Sequence, residues 1–217
     1  MSLKSSIKTV LTLGKGVASS LPESASHMDP VELFAQWFQA AQDSGILLPE
    51  SVALASATGD GRPSVRMVLL KDVDERGFVF FTNYGSRKAA ELDANPHAAL
   101  CFHWAVLHRQ VRVNGSVERV SEEESADYFA SRPKNTRLGA WASKQSQPLS
   151  GRDELETRLR EVEERFAGDD VPLPSFWGGY RLRPDQIEFW QGRTDRLHDR
   201  LVFTQSGQGW DTARLYP

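Results

Sequence analysis

Between Trp177 and Arg200 the sequence brings Arg181, Arg193, Arg196 and Arg200 together with Trp177, Trp190 and His198. A guanidinium is always charged, presents a planar fork of donors that fits phosphate, and stacks on aromatic rings. Trp190 offers a ring face, and His198 titrates near neutral pH, so it can hydrogen-bond or move a proton. This mixture suits a flat, negatively charged, partly aromatic ligand. The same residues also fit an exposed strand pair with solvated arginines and buried tryptophans.

Two other stretches set cations beside hydroxyls. Ser86 caps a short helix that carries Arg87 and Lys88 in its first turn, where cations oppose the helix dipole. A phosphate at that helix end resolves the conflict, and so do side chains that reach into solvent. The capping box Ser121-Glu-Glu-Glu124 opens a helix to about Ser131, which puts Tyr128 and Arg132 one turn apart. That pair can grip a phosphate or sit on the surface. Gln145 and Ser146 add uncharged hydrogen-bonding groups at the end of the run from Leu138. The chain has no Rossmann glycine fingerprint, Walker loop, HExxH or nucleophile elbow, which leaves nucleophilic and metal-dependent chemistry without support.

The elements that must hold these groups are mostly short strands. Asp29-Pro-Val-Glu32 reads as the start of a helix running through Trp37 and Phe38 to Gly45. Strands are expected over 52–58, 64–70, 78–82, 97–104 and 109–120, with Asn114-Gly-Ser116 as a bulge or turn. After Arg132-Pro133 a polar loop is expected. Residues 152–166 form a helix with Leu155, Leu159, Val162 and Phe166 on one packing stripe. Four closing strands follow over 177–182, 186–191, 200–205 and 210–215. This pattern predicts a mainly β domain with peripheral helices, an antiparallel barrel rather than a repeating strand-helix sheet.

Composition narrows the function further. The chain has 217 residues, 26 Lys and Arg against 29 Asp and Glu, and a net charge of -3. There is no basic excess of the kind nucleic-acid binders show, and no apolar run of the roughly 18 residues a membrane span needs. The lone Cys101 excludes an internal disulfide and a multi-cysteine metal site, and fits a buried thiol in a reducing cytosol. Residues 1–28 are Ser-rich and acid-poor, with a faint likeness to a transit peptide that lacks arginine. They are expected to be a flexible N-terminal arm or, given Ala25-Ser-His-Met28, in part a remnant of an expression tag, leaving 29–217 as a single domain.

Across residues 29–217, several stretches carry a specific likeness: Arg66-Met-Val-Leu-Leu-Lys71, Phe81-Thr-Asn-Tyr-Gly-Ser-Arg-Lys88, Arg109-Gln110, Ser131-Arg-Pro133, Gly139-Ala-Trp-Ala-Ser-Lys-Gln-Ser146, Trp177-Gly-Gly179, Glu188-Phe-Trp-Gln-Gly192 and Arg196-Leu-His-Asp-Arg200. In these the chain resembles the pyridoxamine 5'-phosphate oxidase family. The resemblance implies an FMN-binding split β-barrel, a homodimer with FMN at the subunit interface, and oxidation of pyridoxamine or pyridoxine 5'-phosphate by O2 to pyridoxal 5'-phosphate with release of hydrogen peroxide. By matching motif, FMN is assigned to Arg66, Met67, Val68, Leu69, Leu70, Lys71, Phe81, Thr82, Arg87, Lys88, Gln110, Gln145, Ser146, Trp190 and Arg200. The substrate phosphate is assigned to Lys71, Tyr128, Arg132 and Thr136, and its ring to Arg196, Leu197 and His198. Arg196 and His198 are the catalytic candidates, His198 as an orienting group.

Two positions depart from the family pattern. Thr136 stands where serine is common, which keeps the hydroxyl. The N-terminal Arg-x-x-Tyr segment that closes over substrate in many members has no counterpart, since the first arginine is Arg62 and the first tyrosine Tyr84. A related split-barrel flavin oxidase of the phenazine-biosynthesis type, and a non-catalytic FMN- or pyridoxal-phosphate-binding protein, are the alternative readings.

Overall fold

The computed structural model describes residues 21, 28–168, 170–207 and 209–217. Helix α1 (Pro30–Asp43) starts where Asp29 Oδ1 accepts a hydrogen bond from the Val31 amide at 2.7 Å, with Pro30 in the first turn. Strands β1 (Ser51–Ala57), β2 (Pro63–Leu69), β3 (Asp72–Asp74) and β4 (Gly77–Asn83) precede α2 (Arg87–Ala94). Strands β5 (His97–Trp104) and β6 (Arg109–Arg119) follow, then α3 (Glu122–Ser131), α4 (Lys134–Ala142) and α5 (Arg152–Arg165). Strands β7 (Trp177–Gln191), β8 (Asp199–Ser206) and β9 (Gly209–Leu215) complete the chain.

All strands join one antiparallel sheet in the order β2-β1-β5-β6-β7-β4-β3, with β8 on β7 and β9 on β8. Strand β7 pairs with β6 from Tyr180 to Gln191. On its other edge, the first half takes β4 (Trp177↔Asn83 to Leu182↔Phe78) and the second half takes β8 (Gln186↔Thr204 to Gln191↔Asp199). The sheet therefore divides into two wings off a common spine and curls into the expected split barrel.

The structure differs from the sequence reading at three elements, of which the short strand β3, paired with β4, was not among the expected strands. The strands expected over 177–182 and 186–191 are one strand that passes through Pro184. Its register against β6 shifts between Asn114 and Gly115, which face Gln186 and Pro184, so Asp185 is left over as a bulge. Pro184 has no amide to donate and is tolerated where the ladder is already broken. Gly115 is required there because a Cβ would collide with the Arg183 carbonyl oxygen. The expected loop after Pro133 is helix α4. Its cap makes no side-chain hydrogen bond and Gly139 weakens it locally, so propensity gives little sign of it. Packing supports it instead: Leu138 and Ala142 are buried, and Trp141 Nε1 donates to the Pro172 carbonyl at 2.8 Å.

Two apolar cores hold these layers. In the larger, Phe34 of α1 is 1% exposed and packs edge-on to Phe78 (4.9 Å between centroids) and tilted against Phe102 (5.0 Å). Leu21 is buried in this core and Met28 packs against it; the rest of the segment expected to be an arm lies outside the described residues. The smaller core joins Phe129, Leu138, Val171 and Trp177, with Leu159, Val162 and Phe166 of the α5 stripe half-buried against it. Arg181 ties β7 to β3 and α3: it is 3% exposed and donates to Asp74 Oδ1 and Glu124 Oε1, each at 2.7 Å. It is thus a structural arginine, in contrast to its grouping with ligand-binding residues on sequence grounds. On β2, Val65, Met67 and Leu69 form an exposed apolar row.

Truncating Phe34 removes the ring that joins α1 to the sheet. Phe34→Ala should lower stability by about 3–5 kcal/mol, read as a shift of the urea unfolding midpoint; a loss under about 1 kcal/mol would show that α1 does not depend on this contact.

Candidate functional site

A cavity of about 430 Å³ opens between β2, β4 and the N-terminal parts of α2 and α4. Two strands supply much of its wall, and consecutive residues of each reach it: Phe81 and Thr82 come from β4, and Met67, Val68 and Leu69 from β2, followed by Lys71. The aromatic side is a stack. Phe81 lies 4.0 Å from Tyr128 and 5.4 Å from Trp177, with interplanar angles of 21° and 10°. The Trp177-Gly-Gly179 start of β7 makes this possible, because a Cβ at Gly179 would press on the Phe81 ring and on Val120.

One end of the cavity is cationic. Lys88, 8% exposed, donates from Nζ to Thr82 Oγ1 at 3.0 Å, Gln145 Oε1 at 3.1 Å and Ser86 Oγ at 3.3 Å. All three partners are uncharged, so a buried ammonium is hydrogen-bonded without a contacting anion. Burial lowers its pKa, the charge of Arg66 lowers it further, and Glu91 opposes both. Near Trp177, Arg132 stacks with its guanidinium carbon 4.8 Å from the indole centroid. Its Nη1 is buried without a hydrogen-bond partner, and desolvation lowers its pKa. A buried charged donor without an acceptor is costly, and a phosphate oxygen in the cavity removes that cost. Thr136 lines the same wall and donates its hydroxyl to the Pro133 carbonyl at 2.7 Å.

The cavity thus collects Met67, Val68, Leu69, Lys71, Phe81, Thr82, Lys88, Tyr128, Arg132, Thr136 and Gln145 from the sequence-predicted set. It also contains Asn83, whose Nδ2 donates to the Ser143 carbonyl at 3.2 Å. Asn83 lies inside the Phe81-to-Lys88 motif, which was the available signal for it. Leu70 faces the larger core instead. Arg66 and Arg87 turn to Glu91, and Ser146 stands exposed beside the cavity with φ 71°.

Glu91 was missed in the sequence, although its place four residues after Arg87 signals a helical ion pair. It accepts from Ser56 Oγ (2.6 Å), Ser64 Oγ (2.5 Å), Arg66 Nη2 (3.0 Å) and Arg87 Nε (2.8 Å). Burial alone would raise its pKa, but hydrogen bonds from Ser56, Ser64, Arg87 and Arg66 together bring it down to about 2.

The remaining predicted residues gather at the far end of β7. Gln110 pairs across the ladder with Trp190, and Trp190 lies 4.6 Å from His198. The Arg193 amide donates to His198 Nδ1 at 3.1 Å, so the neutral ring carries its proton on Nε2. Arg193 Nε donates to Asp199. Arg200 places a two-pronged fork on Glu188 (2.9 and 3.0 Å) and donates Nη1 to the Tyr216 carbonyl at 3.0 Å. Asp195 and Arg196 both have left-handed backbone, at φ 59° and 61°, and Leu197 is 71% exposed. None of these C-terminal groups lines the cavity.

The model of the family described as pyridoxamine 5'-phosphate oxidase matches residues 38–166. The chain belongs to the pyridoxamine 5'-phosphate oxidase family. Residues 177–217 match a second model, the pyridoxine 5'-phosphate oxidase C-terminal dimerisation region. Within the family, a pyridoxine/pyridoxamine 5'-phosphate oxidase of Psychromonas ingrahamii is 54% identical over 217 residues, 100% of both chains. One of Rubrobacter xylanophilus is 57% identical over 199 residues, 92% of each chain. Among solved structures, PhzG from Burkholderia lata 383, in complex with tetrahydrophenazine-1-carboxylic acid, has a TM-score of 0.87 and 32% identity and covers 93% of this chain and 100% of that one. A pyridoxamine 5'-phosphate oxidase-related, FMN binding protein from Nostoc punctiforme shares the fold at TM-score 0.71 and 17% identity, over 88% of this chain and 99% of that one.

The Glu91 network makes a pH prediction. Its carboxyl titrates near 4.5 when unfolded and near 2 when folded, so its stabilising contribution is complete above pH 4.5 and is lost as pH falls towards 2. Unfolding free energies measured from pH 5 to pH 2 should fall for the wild type and fall less steeply for Glu91→Gln. Parallel curves would show that the four donors do not hold the carboxylate ionised.

Proposed function

We propose that the cavity and the C-terminal cluster together hold FMN and the phosphate ester of pyridoxamine or pyridoxine, and oxidise that ester with O2 to pyridoxal 5'-phosphate, releasing hydrogen peroxide. The observation that carries this reading is one cavity that holds two cations, Lys88 and Arg132, with different partners beside an aromatic wall. Two phosphates, one from cofactor and one from substrate, match that pair of cations. The relatives at 54% and 57% identity carry the vitamin B6 activity in their names, whereas the phenazine-type neighbour stands at 32%.

In this reading Lys88, Thr82 and Gln145 hold the FMN phosphate, with Arg66, Arg87 and Ser146 around them. The β2 segment Met67 to Lys71, Phe81, Gln110, Trp190 and Arg200 hold the rest of the cofactor. Bound FMN would supply the redox chemistry, a two-electron oxidation of the substrate with O2 as the final acceptor. Lys71, Tyr128, Arg132 and Thr136 bind the substrate phosphate. Arg196 holds the substrate ring with its fork, and Leu197 covers it. His198 with its proton on Nε2 is a donor to the substrate, which makes it an orienting group rather than a base in that state.

The protein is a homodimer through its C-terminal dimerisation region. Trp177 and Trp190 stand near opposite ends of β7, roughly 40 Å apart along the strand at about 3.3 Å per residue. That separation supports a site at the subunit interface, where the cavity of one chain meets the C-terminal cluster of the other. No helix among the described residues is long and apolar enough to cross a membrane. Cytoplasmic residence is part of the proposal, supported by the free, half-buried Cys101.

Adding pyridoxamine 5'-phosphate to the FMN-loaded protein should produce hydrogen peroxide and pyridoxal 5'-phosphate. No peroxide from a protein that retains FMN would favour a binding protein. Arg132→Met should lower kcat/KM for pyridoxamine 5'-phosphate by roughly 10- to 100-fold, the scale of one or two charge-assisted hydrogen bonds. It should change little for unphosphorylated pyridoxamine. Equal losses on both substrates would remove Arg132 from the phosphate site.

A further inference from the structure

Glu91 follows Lys88 by about one turn of α2, next to the cationic end of the cavity but outside its lining, and the roles above make no use of it. It is 3% exposed, and its four donors come from three elements: Ser56 on β1, Ser64 and Arg66 on β2, and Arg87 on α2 itself. Three of these donors share Oε2 and Arg87 takes Oε1, so both oxygens are engaged as acceptors, the role of a fixed anion. Arg66 is fixed from several directions at once, since it also donates Nη1 to Ser56 Oγ and to the Leu54 carbonyl at 3.4 Å, and Nη2 to Ser64 Oγ. Arg87 is 65% exposed and keeps its orientation through Glu91. Arg66, Arg87 and Lys88 less the one carboxylate leave two positive charges, the complement of a phosphate monoester near -2 at neutral pH.

We propose that Glu91 is a positioning residue for the cofactor phosphate, holding Arg66 and Arg87 in orientation around Lys88 so that the site presents a balanced charge to a doubly ionised ester. This inference rests on the reading of that end as the FMN phosphate site. Two effects of losing the carboxylate oppose each other. A more cationic site by itself would bind a dianion more tightly, whereas loose arginines bind it less well because their ordering must then be supplied on binding. The sign of the change therefore separates positioning from bulk charge.

The experiment measures dissociation constants of FMN and of riboflavin, which lacks the phosphate, by flavin fluorescence quenching on the full-length protein freed of cofactor. Wild type should prefer FMN, and Lys88→Ala should lose most of that preference. In Glu91→Gln the preference should fall roughly tenfold or more, the scale of one charge-assisted hydrogen bond, with riboflavin affinity little changed. Ser64→Ala keeps the charge and removes one anchor, so it should act in the same direction by about threefold; it decides the matter if Glu91→Gln does not fold. An unchanged or increased preference in these variants, or an equal loss for both flavins, overturns the inference while leaving the phosphate site in place. Full FMN preference in Lys88→Ala overturns the phosphate reading itself.

Discussion

Strand β7 is hydrogen-bonded along both edges and exchanges β4 for β8 half-way along one of them. This constraint dictates most of the architecture. Level with that exchange, the ladder on the opposite edge, against β6, is interrupted by the bulge at Asp185, with Pro184 before it and Gly115 facing it, and such a bulge bends and twists its strand. The two wings then diverge. The β4 wing carries the aromatic stack and the buried lysine, and the β8 wing carries His198 and Arg200.

Buried carboxylates fix the arginines of both wings. Glu91 holds Arg66 and Arg87, and Glu188, 4% exposed, holds Arg112 and Arg200. For Glu188, as for Glu91, burial favours the neutral acid, and hydrogen bonds from the arginines overcome it and keep the pKa low. An arginine has a long side chain with several free rotations, and a carboxylate at its base removes that freedom before any ligand arrives. The two networks differ in exposure: Arg87 is at the rim, whereas Arg66 and Arg200 are mostly covered.

The strands other than the short β3, the capped helices α1, α2 and α3 and the Asn114-Gly115 bulge were legible because turn residues, caps and alternation are local signals. Helix α4 was not, since its stability comes from Leu138, Ala142 and Trp141 packing on distant chain, and neither was the continuity of β7 through Pro184. The site was legible as residue types and motifs. Its internal division was hidden, because nothing in a linear sequence separates an arginine that faces a ligand from one such as Arg181 that closes an ion pair with Asp74 and Glu124. Glu91 lay in view at helical spacing from Arg87, but its contacts to Ser56 and Ser64 cross two strands and emerge only on folding.

The placement of candidate cofactor residues at opposite ends of one strand also has a thermodynamic side. When a ligand spans two chains, association and ligand binding become one coupled equilibrium, and each strengthens the other by mass action. The exposed row Val65, Met67 and Leu69 and the buried ammonium of Lys88, whose hydrogen-bond partners are all uncharged, are both features that a partner chain or an anion would stabilise. With the site at the proposed subunit interface, dilution would act on the cofactor as well as on the subunits: a preparation taken to low concentration would shed its ligand and its partner together, and an excess of free ligand would hold the assembly intact.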